Sequence, residues 1–432
     1  YIGLLKSGSP PFLLSHTNGG DGVPIQAGAH ANTIGLPGLG NTISGNGNDG
    51  VGLRGNGSSN NVVYNNVIGL YPDQLAKLGN GASGVAMLQG ASGNEIGGSR
   101  DLARANVIAG NTANGVYIET VSNTVTGNLI GTNRYSENGM GNGGAGVKLF
   151  GGAGNTIGYT ASQNLGNVIG GNGGAGIDII GDAAKGNSIS GNTIGLATAG
   201  VAAVPNAEHG VVIQAGASGN TVDANTISSN GGNGMWISDA GTNANVVIRN
   251  IIGLSAAGNA QAANAYNGIV VRNGAQHNQI GSAGNGNTIS GNRQDGVALD
   301  GANTAINLVM SNTVGLNVAG TAAISNAGVG IRLTNGATGN YIGWDIANPA
   351  GNLVSGNGSD GIALVGLATD GNYVGGNVIG LNRAQNARIA NGASGIALAG
   401  GPRNNLIGYP VSGKFGGNLI AGNNGSGIYI AG

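Results

Sequence analysis

Any chemistry in this 432-residue chain must come from few groups: four His, seventeen Asp plus Glu, and sixteen Lys plus Arg. His16, His30, His209 and His277 each stand without a second His at ligand spacing, and there is no Cys. Thiol catalysis, zinc–thiolate sites and disulfides are therefore excluded, and neither a metal nor another cofactor is expected. The acids are scattered. Asp178 and Asp182 are close, as are Asp295 and Asp300, but pairs of this kind arise by chance. Asp49, Asp295 and Asp360 precede Gly in a recurring phrase, which is where turns favour Asp. With a net charge of −1, the thinly spread cations make no phosphate-binding stripe, so nucleic acid is not an expected partner. No apolar run approaches the roughly 18 residues of a membrane-spanning helix.

The elements that would position these groups come from a repeat. Gly supplies 92 residues, a content that signals disorder unless it is periodic. It is periodic. The phrase N-x-x-x-G-[VI] recurs with Asn at 18, 80, 142, 206, 264, 326 and 391, giving units of about 62 residues. Each unit holds two similar turns. The fourteen turns place Val23, Val51, Val85, Val116, Val147, Ile177, Val211, Met235, Ile269, Val297, Ile331, Ile362, Ile396 and Ile428 at one equivalent position. Two further series of N-x-[IV] run through the turns, one from Asn32 to Asn405 and one from Asn41 to Asn418.

Every turn thus carries three short segments in which β-branched and other aliphatic residues alternate with free positions, the pattern of half-buried strands. Gly or Asn every few residues argues against helix. Three strands per turn of about 31 residues fit an all-β parallel β-helix of about 14 rungs. A β-propeller blade needs four strands and a longer repeat. The corners require left-handed backbone, which Gly and Asn tolerate. An Asn repeated at one corner can also bond to the rungs above and below, so both series read as structural ladders. Insertions fall near 97–105, 158–166, 343–351 and 408–417 in odd turns, and after Ile-Gly-Leu or Val-Gly-Leu in even turns. The chain begins and ends within a repeat. The expectation is one β-helix over 1–432, a segment of a longer solenoid, able to stack end to end.

On one outer face the free position of the first strand brings together Tyr117, Lys148, Asp178 and Trp236, with Phe150 two residues beyond Lys148. This aromatic and polar strip is the candidate surface for an extended sugar chain or a neighbouring rod.

The phrases Gly40-Asn41-Thr42-Ile43-Ser44-Gly45-Asn46, Gly191-Asn192-Thr193-Ile194-Gly195-Leu196 and Asn206-Ala207-Glu208-His209-Gly210-Val211 resemble the right-handed parallel β-helix repeats of large bacterial secreted and surface proteins. These include adhesins and autotransporter passengers, within a wider pectate-lyase-like superfamily. The resemblance implies a secreted or cell-surface location. Enzymes of that superfamily set several acids, with Arg, Lys or His, on one outer face over consecutive rungs. Here only Lys148 and Asp178 are neighbours in such a column, and the Asp-Pro-His motif of alginate epimerases is absent. The leading expectation is therefore a non-enzymatic structural or adhesive solenoid whose partner is another copy of itself or a surface polysaccharide. The alternative is a carbohydrate-active β-helix that binds or cleaves an extended polysaccharide.

Overall fold

The computed structural model describes residues 1–3, 18–36, 38–98, 105–135, 140–158, 166–343, 351–408, 410–411 and 414–432. His16 and residues 99–104, 159–165 and 344–350 of the odd-turn insertions, with 409 and 412–413 of the last, lie outside the described residues. There are two compact units, residues 1–212 and 213–432. Each is a right-handed parallel β-solenoid with three faces, and among the described residues there is no helix.

In the first unit the first-face strands run from Val23–Ile25 through Val51–Arg54, Val85–Leu88, Val116–Ile118 and Val147–Phe150 to Ile177–Ile180, each paired in parallel with the next. The second face runs from Thr33–Ile34 to Ser188–Ser190, and the third from Thr42–Ile43 to Thr193–Ile194. The second unit repeats the plan. Its first face begins at Met235–Ser238 and ends at Ile428–Ala431. Val23, Val51, Val85, Val116, Val147 and Ile177 are register partners in one column, as expected from the sequence. All but Val23 are fully buried. Alternation puts every second side chain inside, and identical phase stacks like on like.

The corners carry three asparagine columns in each unit. At the second corner of the first unit, Asn32, Asn61, Asn94, Asn123 and Asn155 each donate from the backbone N–H and from Nδ2 to the Oδ1 of the next rung's Asn. The series from Asn41 makes the same bonds at the third corner. Both ladders were legible as such. The third column was not. Asn18, Asn46, Asn80, Asn111 and Asn142, whose recurrence marks the repeat, also bond rung to rung through their side chains.

The corners do take left-handed backbone, as expected, but not at the ladder residues themselves. None of the ladder asparagines has a positive φ. The residue immediately before each second-corner Asn takes the left-handed conformation instead: Ala31, Asn60, Gly93, Ser122, Gly154 and Gly186 in the first unit, and Ala244, His277 and Ile306 among those in the second. A ladder Asn must aim its side chain inward along the stack, so the preceding residue makes the bend. In the first unit Met140, from an even-turn loop, packs against a third-face cluster of Val67, Leu70, Val107, Ala109, Leu129 and Val168.

Ile306 is β-branched, has a φ of 56° and is 44 % exposed, so its side chain gains little from burial and its backbone is strained. Relief of a left-handed L-residue outweighs the extra flexibility of Gly in the unfolded chain. Ile306→Gly should stabilise the fold by about 0.5–1 kcal/mol. A higher urea midpoint checks this; a lower one contradicts it.

Candidate functional site

Outward positions of the first face alternate with the buried column, so register fixes which side chains meet. In the first unit Tyr117 lies opposite Lys148, and Lys148 opposite Asp178, on successive strands. Lys148 Nζ is 3.1 Å from Asp178 Oδ2. Tyr117 donates to Glu119 Oε1 at 2.8 Å. Burial, then the bond to Glu119 and its charge, push the Tyr117 phenol up to about 12, so it remains a neutral donor at any physiological pH. Phe150 ends its strand beside Ile180 and is 50 % exposed. Four of the five residues of the expected strip thus share one surface.

Trp236, the fifth, belongs to the second unit and has its own surroundings. Its indole Nε1 donates to Ser238 Oγ at 3.0 Å, and the Arg272 guanidinium sits 5.0 Å from its ring centre. Arg272 also pairs with Asp300 at 3.4 Å, so a cation is held over the aromatic face by a carboxylate one strand away. Two strands from Arg272, Arg332 lies 3.2 Å from Asp295 Oδ2.

A further cluster was missed in the sequence. Arg54 reaches back along its strand and lies 3.1 Å from Asp21 Oδ2 and 2.6 Å from Asp49 Oδ2. Asp21 and Asp49 come from successive turns. Gly52 lies beneath them, and a Cβ there would fall 2.2 Å from Asp21 Oδ2. Burial, the largest effect, raises the Asp49 carboxyl above its ordinary range. The Ser83 N–H opposes the rise, the Asp21 charge adds to it, and Arg54 opposes it. Two acids and an Arg on consecutive rungs form an acid–base-capable constellation. The signal was present in the phrase Asp-Gly-Val at both turns, but the third member sits five residues after Asp49.

These acids do more than make turns. Asp21, Asp49, Asn114, Asn233, Asn267, Asp295 and Asp360 share the position just before the Gly that opens the first strand. Each accepts through Oδ1 from a backbone N–H of the next turn: Asp49 from Ser83 at 2.9 Å, Asp295 from Val329 at 2.7 Å, Asp360 from Ser394 at 2.8 Å. Local turn chemistry was the sequence reading for Asp49, Asp295 and Asp360; the observed acceptor role is between turns.

Residues 138–314 match the family model described as the right-handed beta helix region. No curated protein matches the sequence. Solved structures similar to the chain include the A-module of a mannuronan C-5 epimerase from Azotobacter vinelandii, at 14 % identity over 91 % of this chain and 90 % of that one, with a TM-score of 0.44. An alginate lyase from Paenibacillus is 14 % identical over 91 % of this chain and 99 % of that one, with a TM-score of 0.23. PfbA, a surface adhesin of Streptococcus pneumoniae, is 12 % identical over 87 % and 79 %, with a TM-score of 0.23. The expectation of a non-enzyme is corrected by the first two, which are enzymes on this kind of scaffold. Its premise, that acids and cations do not cluster on consecutive rungs, also fails at Asp21, Asp49 and Arg54. Among the described residues no helix is long and apolar enough to cross a membrane.

Burial is the leading cause that raises the Asp295 carboxyl above its ordinary 3.8, with Arg332 and the Val329 N–H opposing. The folded form then holds this proton more tightly than the unfolded form, so its contribution to stability is lost as pH rises through that range. Asn at 295 keeps an acceptor for Val329 and removes the titration. Lowering the pH from neutral towards the ordinary Asp range should therefore stabilise the parent chain relative to Asp295→Asn. Paired thermal melts across that range check it; a gap between the two that stays constant contradicts it.

Proposed function

We propose that the protein binds an extended polysaccharide along the outer first face, and does so outside the cell or at its surface. The observation that carries this is the register Tyr117–Lys148–Asp178, with Phe150 exposed at its edge. Successive strands place a phenol, an ammonium and a largely buried carboxylate that holds the ammonium at the ~4.8 Å strand spacing, with an aromatic platform beside them. Such a surface gives an extended chain one contact per rung. In the second unit the Trp236 ring, with Arg272 and Asp300, offers a similar combination of π-face and charge. A purely structural or adhesive rod has less support than this reading, and nothing supports self-association.

A second reading, that the bound chain is also cleaved or epimerised, is favoured by Asp21, Asp49 and Arg54. A carboxyl raised by burial is suited to carry a proton, and an adjacent guanidinium can stabilise negative charge that develops on substrate.

Affinity electrophoresis in gels containing alginate, pectate or a neutral glucan tests the binding. At least one polymer should retard the protein, and Phe150→Ala or Lys148→Ala should weaken that retardation by roughly tenfold, about 1.4 kcal/mol. Migration unaffected by every polymer, or by both substitutions, contradicts the proposal. Release of unsaturated or reducing ends that Asp49→Asn abolishes would support the second reading; release unchanged by Asp49→Asn would remove that residue from the chemistry.

A further inference from the structure

Two polar pockets on the third face, one in each unit, are built from the same two pieces of sequence. The floor comes from the phrase Gly-x-Gly-Asn-Thr-Ile-Ser-Gly-Asn, at 38–46 in the first unit and 284–292 in the second. The rim comes from the phrase Ile-Gly-x-Asn-Arg, at 130–134 and at 379–383, which brings Arg134 to one pocket and Arg383 to the other. The volumes are about 460 and 410 Å³, within the range of small-ligand sites.

Both pockets lie beside turns of intermediate length. Between Gly35 and Gly40, and between Gly281 and Gly286, the chain has four residues, whereas four other odd turns have seven or eight at this corner and the one at Asn220–Asn225 has none. The two turns close alike. Leu39 N–H donates to Leu36 O at 2.9 Å, and Asn285 N–H to Ser282 O at 2.8 Å. Gly38 and Gly284 take left-handed φ values of 73° and 77°.

Among the described residues each arginine meets only neutral acceptors. Arg134 donates from a terminal nitrogen to Asn65 Oδ1 at 3.4 Å, and among these residues its buried Nε has no hydrogen-bond partner. Burial lowers the pKa of its guanidinium, the direction expected of a cation short of water. Arg383 donates to Thr313 Oγ1 at 2.8 Å and to the carbonyls of Ala319 and Val318. Among the described residues neither takes part in an ion pair, unlike Arg54, Arg249, Arg272 and Arg332, and like Arg293, Arg388 and Arg403. A planar fork of five donors, only partly used and set in a pocket, is complementary to a carboxylate. One cation matches a monoanion better than a phosphate dianion. Thr42, Asn65 and Gln74 add hydroxyl and amide groups suited to sugar hydroxyls.

We propose that these pockets are twin subsites for the carboxylate of an acidic sugar, with Arg134 and Arg383 as the residues that select it. They lie on a different face from Tyr117, Lys148 and Asp178, and the proposal does not rest on that surface.

Calorimetric titration of the full chain with a trimeric oligouronate, with maltotriose and with inorganic sulfate tests it, run in parallel on the Lys148→Ala chain. The oligouronate should occupy two sites in the Lys148→Ala chain. Arg134→Gln should leave one of these, and Arg134→Gln with Arg383→Gln should leave none, each site weakening roughly ten- to a hundredfold. Lys at either position should restore part of the affinity, because it returns the charge without the fork. Maltotriose should not bind there. Arg383 is exposed, so Arg383→Gln alone supplies the test should the Arg134 variant fail to fold. Binding unchanged in the double variant, maltotriose binding as tightly as the oligouronate, or sulfate matching the oligouronate would each overturn the proposal. Loss of both sites in Lys148→Ala would do so too, by moving the binding to the first face.

Discussion

A solenoid corner must turn within two or three residues, and there the backbone N–H groups point along the stack with no strand to receive them. The asparagine amide resolves this. Its Oδ1 accepts from the N–H and Nδ2 of the Asn one rung before, while its own Nδ2 reaches a main-chain carbonyl, as Asn94 does to Ser58 and Asn128 to Ile96. Asn61, Asn94, Asn123 and Asn155 are at most 1 % exposed, so water cannot substitute for these bonds. No other side chain offers a carbonyl and an NH₂ on so short a stem. Recurrence of Asn at every corner, and of a tolerant residue just before it, follows from that requirement.

Once the corners are fixed, everything outward is free to vary by rung. The first face shows this most clearly, since its inner column is Val, Ile or Met throughout while the outer column passes through Gly52, Ala86, Tyr117, Lys148 and Asp178. Function on such a scaffold is written as differences between rungs. Gly52 lets Arg54 lie back over two acids; Gly38 and Gly40 help to line a pocket; Arg134 crosses rungs to reach it through a loop anchored by the Asn133 amide on the Gln74 carbonyl.

The fold was legible because a solenoid repeats its instructions. Three phrases at constant phase specify three strands, and the column from Val23 to Ile177 follows from counting. The two N-x-[IV] ladders were legible for the same reason. The third ladder is masked by its own regularity, since the phrase that carries Asn18 and Asn80 is also the period of the repeat. Sites are harder to read, because they depend on contacts that cross rungs. Asp21 to Arg54 spans 33 residues, and Arg134 to Asn65 spans 69. Sequence distance of that size carries no signal until the register is known. The resemblance to β-helix repeats implies the scaffold, whereas the cluster of acids depends on Arg54 folding back over Asp21 and Asp49, which no local phrase encodes.

The account rests on the ladder, and the most direct measurement is the stability of Asn123→Ala in chemical unfolding. Asn123 bonds through its side chain to Asn155, Thr120 and the Val121 carbonyl, and accepts from Asn94. Its removal strands the buried Asn94 donors on the preceding rung and takes a donor from the Asn155 Oδ1 acceptor on the next, which costs about 1–3 kcal/mol, and the chain should lose stability by that amount. A change within about ±0.5 kcal/mol, typical of an inert surface substitution, would show that the amide column does not hold the corners together.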